Sequence, residues 1–129
     1  MQTEPGVDDV NERRPMGSLE ASVMDRLWRA KGPMTPAAVQ AELGDDLAYT
    51  TVMTILTRLW KKNLVLRQRV GRAFEYSPAI TEADFLSDKM RTELARTKDR
   101  QAVLSRFVDK LSAKDARALR DVLRDLDAD

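Results

Sequence analysis

The chain has 129 residues, enough for one domain or a small pair, and 43% of them are hydrophobic against 33% charged. Lys and Arg number 22 against 21 Asp and Glu, giving a net charge of +1. There is no Cys and no His, which excludes disulfides, Cys/His zinc sites, thiol catalysis and imidazole chemistry, and no cofactor is implied.

No run approaches the roughly 20 apolar residues of a membrane span. The polar start, with Glu4, Asp8, Asp9 and Glu12, lacks the basic-then-apolar pattern of a signal peptide. A cytoplasmic protein with no membrane insertion is expected. Charge is spread unevenly. Residues 1–16 hold two basic and four acidic side chains, 17–79 nine and six, and 80–129 eleven of each. No acid occurs from Leu47 to Phe74, whereas Arg58, Lys61, Lys62, Arg67, Arg69 and Arg72 all do. Such a stripe attracts polyanions even on a nearly neutral molecule, although basic residues also simply solvate helix faces.

In chain order, residues 1–16 contain Pro5, Gly6 and Pro15 without apolar periodicity and read as a disordered tail. Ser18 is the expected cap of a first helix running to about Ala30, with Glu20 in its first turn and Leu19, Val23, Leu27 and Trp28 at helical spacing. Gly32-Pro33 ends it. Thr35-Pro36 is a cap followed by a first turn, opening a short second helix with Val39 and Leu43 inward that stops at Gly44.

The third helix spans about Tyr49 to Lys62. Val52, Ile55, Leu56 and Leu59 form its apolar stripe, and Thr50, Thr54, Thr57 and Lys61 lie opposite, flanked by Thr51 and Arg58. Four threonines are poor helix formers, yet a threonine suits a base-reading face because it contacts a thymine methyl or donates to a base edge. An ordinary amphipathic core helix accounts for the apolar stripe equally well.

Two short strands follow. Leu64, Leu66 and Val70 alternate with Val65, Arg67 and Arg69, and Phe74 and Tyr76 alternate on the return. Gly71-Arg72 fits a two-residue turn with glycine first, which makes the tip basic. Three helices and a basic hairpin together describe a winged helix-turn-helix, whose third helix enters the major groove while the wing reaches the backbone.

Residues 80–129 read as three helices. Thr81-Glu82-Ala83-Asp84 opens the first, with Phe85, Leu86, Met90 and Leu94. Asp99 caps the second, with Val103, Leu104, Phe107, Val108 and Leu111. Ser112 opens the third, with Ala116, Leu119, Val122, Leu123 and Leu126. Faces this wide are buried either against a second copy or in a free-standing bundle.

The expected fold is therefore mainly α with a small β-hairpin wing. A tail (1–16) precedes a winged-helix DNA-binding domain (17–79) and a helical dimerisation domain (80–129). The expected DNA-binding residues are Tyr49, Thr50, Thr51, Thr54, Thr57, Arg58, Lys61, Lys62, Arg69 and Arg72. Phe85, Met90, Leu94, Leu104, Phe107, Leu111, Leu119, Val122, Leu123 and Leu126 are the expected dimer contacts. An enzyme is disfavoured, because the five glycines stand singly, and Asp8-Asp9 and Asp45-Asp46 lie in the tail and a turn. A winged-helix assembly module that never touches nucleic acid remains the other reading.

The run from Leu47 to Leu59, followed by Lys61-Lys62-Asn63-Leu64, resembles the recognition helix and strand entry of the BlaI/MecI penicillinase-repressor family. Leu19 to Trp28 resembles that family's first helix, the wing through Arg72 and Tyr76 also fits, and the similarity extends over residues 17–126. The resemblance implies a homodimeric repressor on a palindromic double-stranded operator. It further implies release through a sensor-linked protease that answers β-lactams, and control of β-lactam resistance or cell-envelope genes. The copper-responsive relatives carry C-terminal cysteines, which this chain lacks. Family cleavage occurs after an Asn and before a Phe; the matching bond here is Arg106–Phe107, with Arg in place of Asn.

Overall fold

The structure, a computed structural model, describes residues 16–44 and 46–128. The tail expected before Met16, and Asp45 of the paired acids, lie outside them. The elements are α1 (Met16–Arg29), α2 (Pro36–Leu43), α3 (Tyr49–Lys61), β1 (Val65–Val70), β2 (Ala73–Pro78), α4 (Glu82–Leu94), α5 (Arg100–Asp109) and α6 (Ala113–Ala128). The architecture is mainly helical with a single antiparallel hairpin among the described residues. The chain divides between Phe85 and Leu86 into two compact units, so the break falls inside α4 rather than after residue 79.

The first unit is a three-helix core closed by the hairpin. Leu19, Val23, Met24 and Leu27 of α1 meet Val39 of α2, the α3 stripe, Val65, Tyr76 and Phe85, all buried. Ser18 does not cap α1: the helix is already under way at Met16, and the Ser18 carbonyl accepts a hydrogen bond from Ser22 Oγ at 3.1 Å. Glu20 accordingly lies beyond the first turn. Thr35 does cap α2, its hydroxyl oxygen accepting from the Ala38 N–H at 3.1 Å with Pro36 in the first turn, and Gly44 ends the helix at φ +96°.

α3 ends in a motif that the apolar periodicity does not reveal. Asn63 takes the left-handed conformation at φ +64°. Its N–H donates to the Trp60 carbonyl at 3.0 Å, and the Leu64 N–H donates to the Leu59 carbonyl at 2.9 Å. These are the two bonds of a Schellman motif, and they turn the chain directly into β1.

The strands pair from Val65↔Pro78 to Val70↔Ala73 around Gly71-Arg72, with Gly71 at φ +64°, so the expected two-residue turn is present. The Met34 backbone adds a further bridge, exchanging two 2.8 Å hydrogen bonds with Tyr76. The inward face of β1 is the reverse of what its hydrophobicity suggests. Val65 is buried and Arg67 half-buried, whereas Leu66 and Val70 are exposed. Arg67 takes an inward position because its guanidinium stacks on Trp60 and Phe74, an option for arginine that a hydrophobic alternation does not register.

Phe85 also departs from expectation. It is 5% exposed and meets the Trp28 ring edge-on at 5.4 Å, while Trp28 Nε1 donates to the Ile80 carbonyl at 3.0 Å. Phe85 thus completes the first unit's core and is not free to contact a second copy.

The caps of α4, α5 and α6 form as expected. Thr81 Oγ1 at the head of α4 accepts from the Asp84 N–H, Asp99 from Ala102 and Ser112 Oγ from Asp115, each at 3.1 Å. The interior of a free-standing bundle does not form, since no residue of α5 or α6 is buried. Met90, Leu104, Phe107, Val122, Leu123 and Leu126 are exposed, and Leu94, Leu111 and Leu119 are half-buried.

The Tyr76 hydroxyl is buried without a hydrogen-bond partner among the described residues. A buried unsatisfied hydroxyl costs more than it returns, so Tyr76→Phe should leave stability unchanged or raise it by up to about 1 kcal/mol. Urea denaturation measures this; a clear loss of stability would mean that the hydroxyl is satisfied in solution.

Candidate nucleic-acid interface

α3 is set by what surrounds it. Gln40 Nε2 donates to the Leu47 carbonyl at 3.0 Å and ties α2 to the turn before α3. Val52, Ile55, Leu56 and Leu59 are fully withdrawn from water, which fixes the helix's rotation and turns the threonines away from the core. Thr50, Thr54, Arg58 and Lys61 are exposed, and Thr51 and Thr57 half-exposed. Met53, Thr54, Thr57, Arg58 and Lys61 line one shallow depression on this face. Met53 was not singled out by the sequence, where it reads simply as apolar.

Tyr49 stands exposed at the head of α3. Ala48 precedes it and offers no side-chain cap, so the first-turn N–H groups keep their donors for other acceptors. The Thr54 hydroxyl donates to the Thr50 carbonyl at 2.9 Å. With that proton engaged, Thr54 offers a base its methyl group and oxygen lone pairs, and the expected donation to a base edge would first require this bond to break.

Three acids of the first unit are matched to cations away from this face, while Glu75 stands on β2 opposite Gln68. Asp25 pairs with Arg29, Glu42 lies 3.8 Å from Arg26, and Glu20 takes Lys62. Arg58, Lys61, Arg67, Arg69 and Arg72 form no ion pair among the described residues. Arg69 and Arg72 are exposed on the hairpin, Arg69 lying 5.3 Å from the Phe74 ring and Arg72 at the tip.

Lys62 differs from the other expected contacts. Its Nζ is 3.0 Å from both carboxylate oxygens of Glu20, a residue only 6% exposed. The sequence separation of 42 residues hides this pairing from any local reading. The ammonium joins the end of α3 to α1 and neutralises the buried acid.

The penicillinase repressor family model matches residues 16–125. The transcriptional regulator BlaI of Mycobacterium tuberculosis is 45% identical over 118 residues, covering 88% of this chain and 86% of that protein. The penicillinase repressor of Staphylococcus aureus is 26% identical over 121 residues, covering 90% and 96%. Among solved structures, a MarR family protein from Bacillus stearothermophilus aligns over 93% of this chain and 79% of that chain, at TM-score 0.45 and 16% identity.

Lys62→Ala should lower stability by about 1–2 kcal/mol, because it strands the Glu20 carboxylate while the lost ammonium was half in water. It should alter the salt dependence of polyanion binding less than Arg58→Ala does. Urea melts and salt titrations of the two variants check this; the opposite ranking would make Lys62 chiefly a binding residue.

Taken with the helices, hairpin and basic face, the family-model match and the M. tuberculosis relative place the chain in the penicillinase repressor family of winged-helix, DNA-binding transcriptional repressors, which are not enzymes.

Proposed function

We propose that two copies of this chain bind a palindromic duplex operator. Each sets α3 in a major groove through Thr50, Thr54, Arg58 and Lys61 and lays Arg69 and Arg72 on the adjoining backbone. The observation that carries the reading is that Arg58, Lys61, Arg69 and Arg72, all within the acid-free run from Leu47 to Phe74, stand exposed without ion-pair partners among the described residues. Tyr49, Thr51 and Thr57 border the same helix face, at its head and along its flank. Access to the chromosome requires the cytoplasm. Repression follows from occupying a promoter, in keeping with the names of the relatives, and the genes controlled are those of β-lactam resistance or the cell envelope.

The dimer is assigned to the second unit. Met90, Leu94, Val103, Leu104 and Phe107 line an open apolar groove of about 540 Å³, and Leu119, Val122, Leu123 and Leu126 share one face of α6 at helical spacing. Soluble monomers rarely leave contiguous apolar surface of this kind in water. The resemblance puts release at Arg106–Phe107, a bond inside α5 whose two residues are both exposed in the single chain. A sensor-linked protease acting there must accept arginine where the family carries asparagine. The cut would part α6 from the winged helix and divide the dimer surface.

If about six to eight phosphates are neutralised per dimer, the slope of log affinity against log salt should be about −5 to −7 on DNA from upstream of the chain's own gene. Arg72→Ala should weaken all duplexes alike, whereas Thr54→Ala should relax sequence preference. Salt-resolved gel shifts measure both, and equal affinity for random and self-promoter DNA at physiological salt would overturn the specific-repressor reading.

Leu123 is half exposed in the single chain, so Leu123→Asp should spare the fold while placing an unpaired carboxylate in the proposed interface, at a cost of several kcal/mol. Sedimentation should find a monomer, with DNA affinity reduced because two linked half-sites bind far more tightly than one. A persistent dimer would move the interface elsewhere.

A further inference from the structure

Arg67 lies where α3 and the hairpin meet. Its guanidinium carbon is 3.6 Å from the centroid of the Trp60 ring, in the last turn of α3, and 4.2 Å from that of Phe74 on β2. A guanidinium carries five N–H donors and accepts nothing. Among the described residues, Arg67 has no ion-pair or side-chain hydrogen-bond partner, and none of its side-chain nitrogens is sealed from solvent although the residue is half-buried. Leucine or methionine would pack between the rings without carrying unsatisfied donors. Both rings lie against the guanidinium carbon while its nitrogens keep access to solvent, and no carboxylate occurs in the run from Leu47 to Phe74 that contains all three residues.

We propose that Arg67 is a phosphate-binding residue, held ready by Trp60 and Phe74, that grips the DNA backbone between the groove-reading helix and the wing. The inference rests on the DNA-binding reading and adds to it a contact outside the expected DNA-binding residues, although Arg67 stands in the basic stripe. Phosphate is the fitting acceptor, because the guanidinium fork matches two of its oxygens with parallel hydrogen bonds. Stacking spends the side chain's rotamer freedom before DNA arrives, so less is lost on binding than for Arg72 at the tip. Arg67 therefore differs in kind from the tip residue: it is held between rings, where Arg72 is exposed at the tip with no ring contact among the described residues.

The test uses the full chain and a self-promoter duplex in which single phosphates are replaced, one at a time, by neutral methylphosphonates. Wild type should lose about ten-fold in affinity when one particular phosphate of a half-site is neutralised. Arg67→Leu, which keeps an apolar body between the rings, should lose a similar factor on native DNA and be indifferent to neutralisation of that same phosphate. Trp60→Leu keeps the charge, so the salt slope should hold while affinity falls; thermal melts confirm that both variants fold. Arg67→Leu binding as wild type does, or losing the same factor on every duplex with no phosphate singled out, would overturn the proposal; the second result would make Arg67 only a strut for the hairpin. Arg72→Ala is the control. If wild type shows no preference for promoter over random DNA, the underlying reading fails, whereas a normal response with Arg72→Ala and none with Arg67→Leu defeats only the inference.

Discussion

Val52, Ile55, Leu56 and Leu59 have no contact with water, and burying each contributes on the order of 1.5–3 kcal/mol. That sum outweighs the few tenths of a kcal/mol by which each threonine disfavours the helix relative to alanine. The core thereby lets α3 carry an outer face chosen for something other than helix stability. It also fixes the helix's rotation, because turning it by one residue would move an aliphatic side chain into water and a threonine into the core. The placement of Arg58 and Lys61, and of Trp60 beside the hairpin, is a consequence of those four side chains.

Much of this was legible in the sequence because the determinants are local. The α3 stripe repeats within the eight residues from Val52 to Leu59, Thr35-Pro36 and Gly44 bracket α2, and Thr81, Asp99 and Ser112 each sit three residues before the N–H that they accept. What escaped depends on distant partners. Lys62 finds Glu20 across 42 residues, and Phe85 finds Trp28 across a longer span. Arg67 reverses the apparent polarity of β1 only because Trp60 and Phe74 lie on either side of it in the chain and close to it in space. Ser18 misled for a different reason: a serine beside an apolar run signals a helix start only if the residues before it are not helical, and here Met16 and Gly17 already are.

The second unit obeys a different balance. Its helices are encoded by caps and by short-range pairs such as Glu93–Arg96 and Asp121–Arg124, each worth tenths of a kcal/mol at the surface. Helices of 10 to 16 residues are marginal in water on such terms. Their apolar side chains are the larger reserve of stabilisation, and in a single chain most of that reserve is unused. The first unit, by contrast, already uses its apolar side chains internally, down to Phe85.

The hairpin restricts how this chain can change length over evolution. β1 is held between two left-handed residues, Asn63 and Gly71, and its inward positions alternate strictly. One inserted residue in β1 would turn Arg67 away from Trp60 and bring Leu66 or Gln68 in its place, since strand side chains change face at every step. Lengthening both strands by two residues at the tip would preserve every inward contact and carry the basic turn about two strand rises farther out, on the order of 7 Å. Viable length variants of this wing should therefore differ by pairs of residues on each strand, a parity rule written into the backbone alternation.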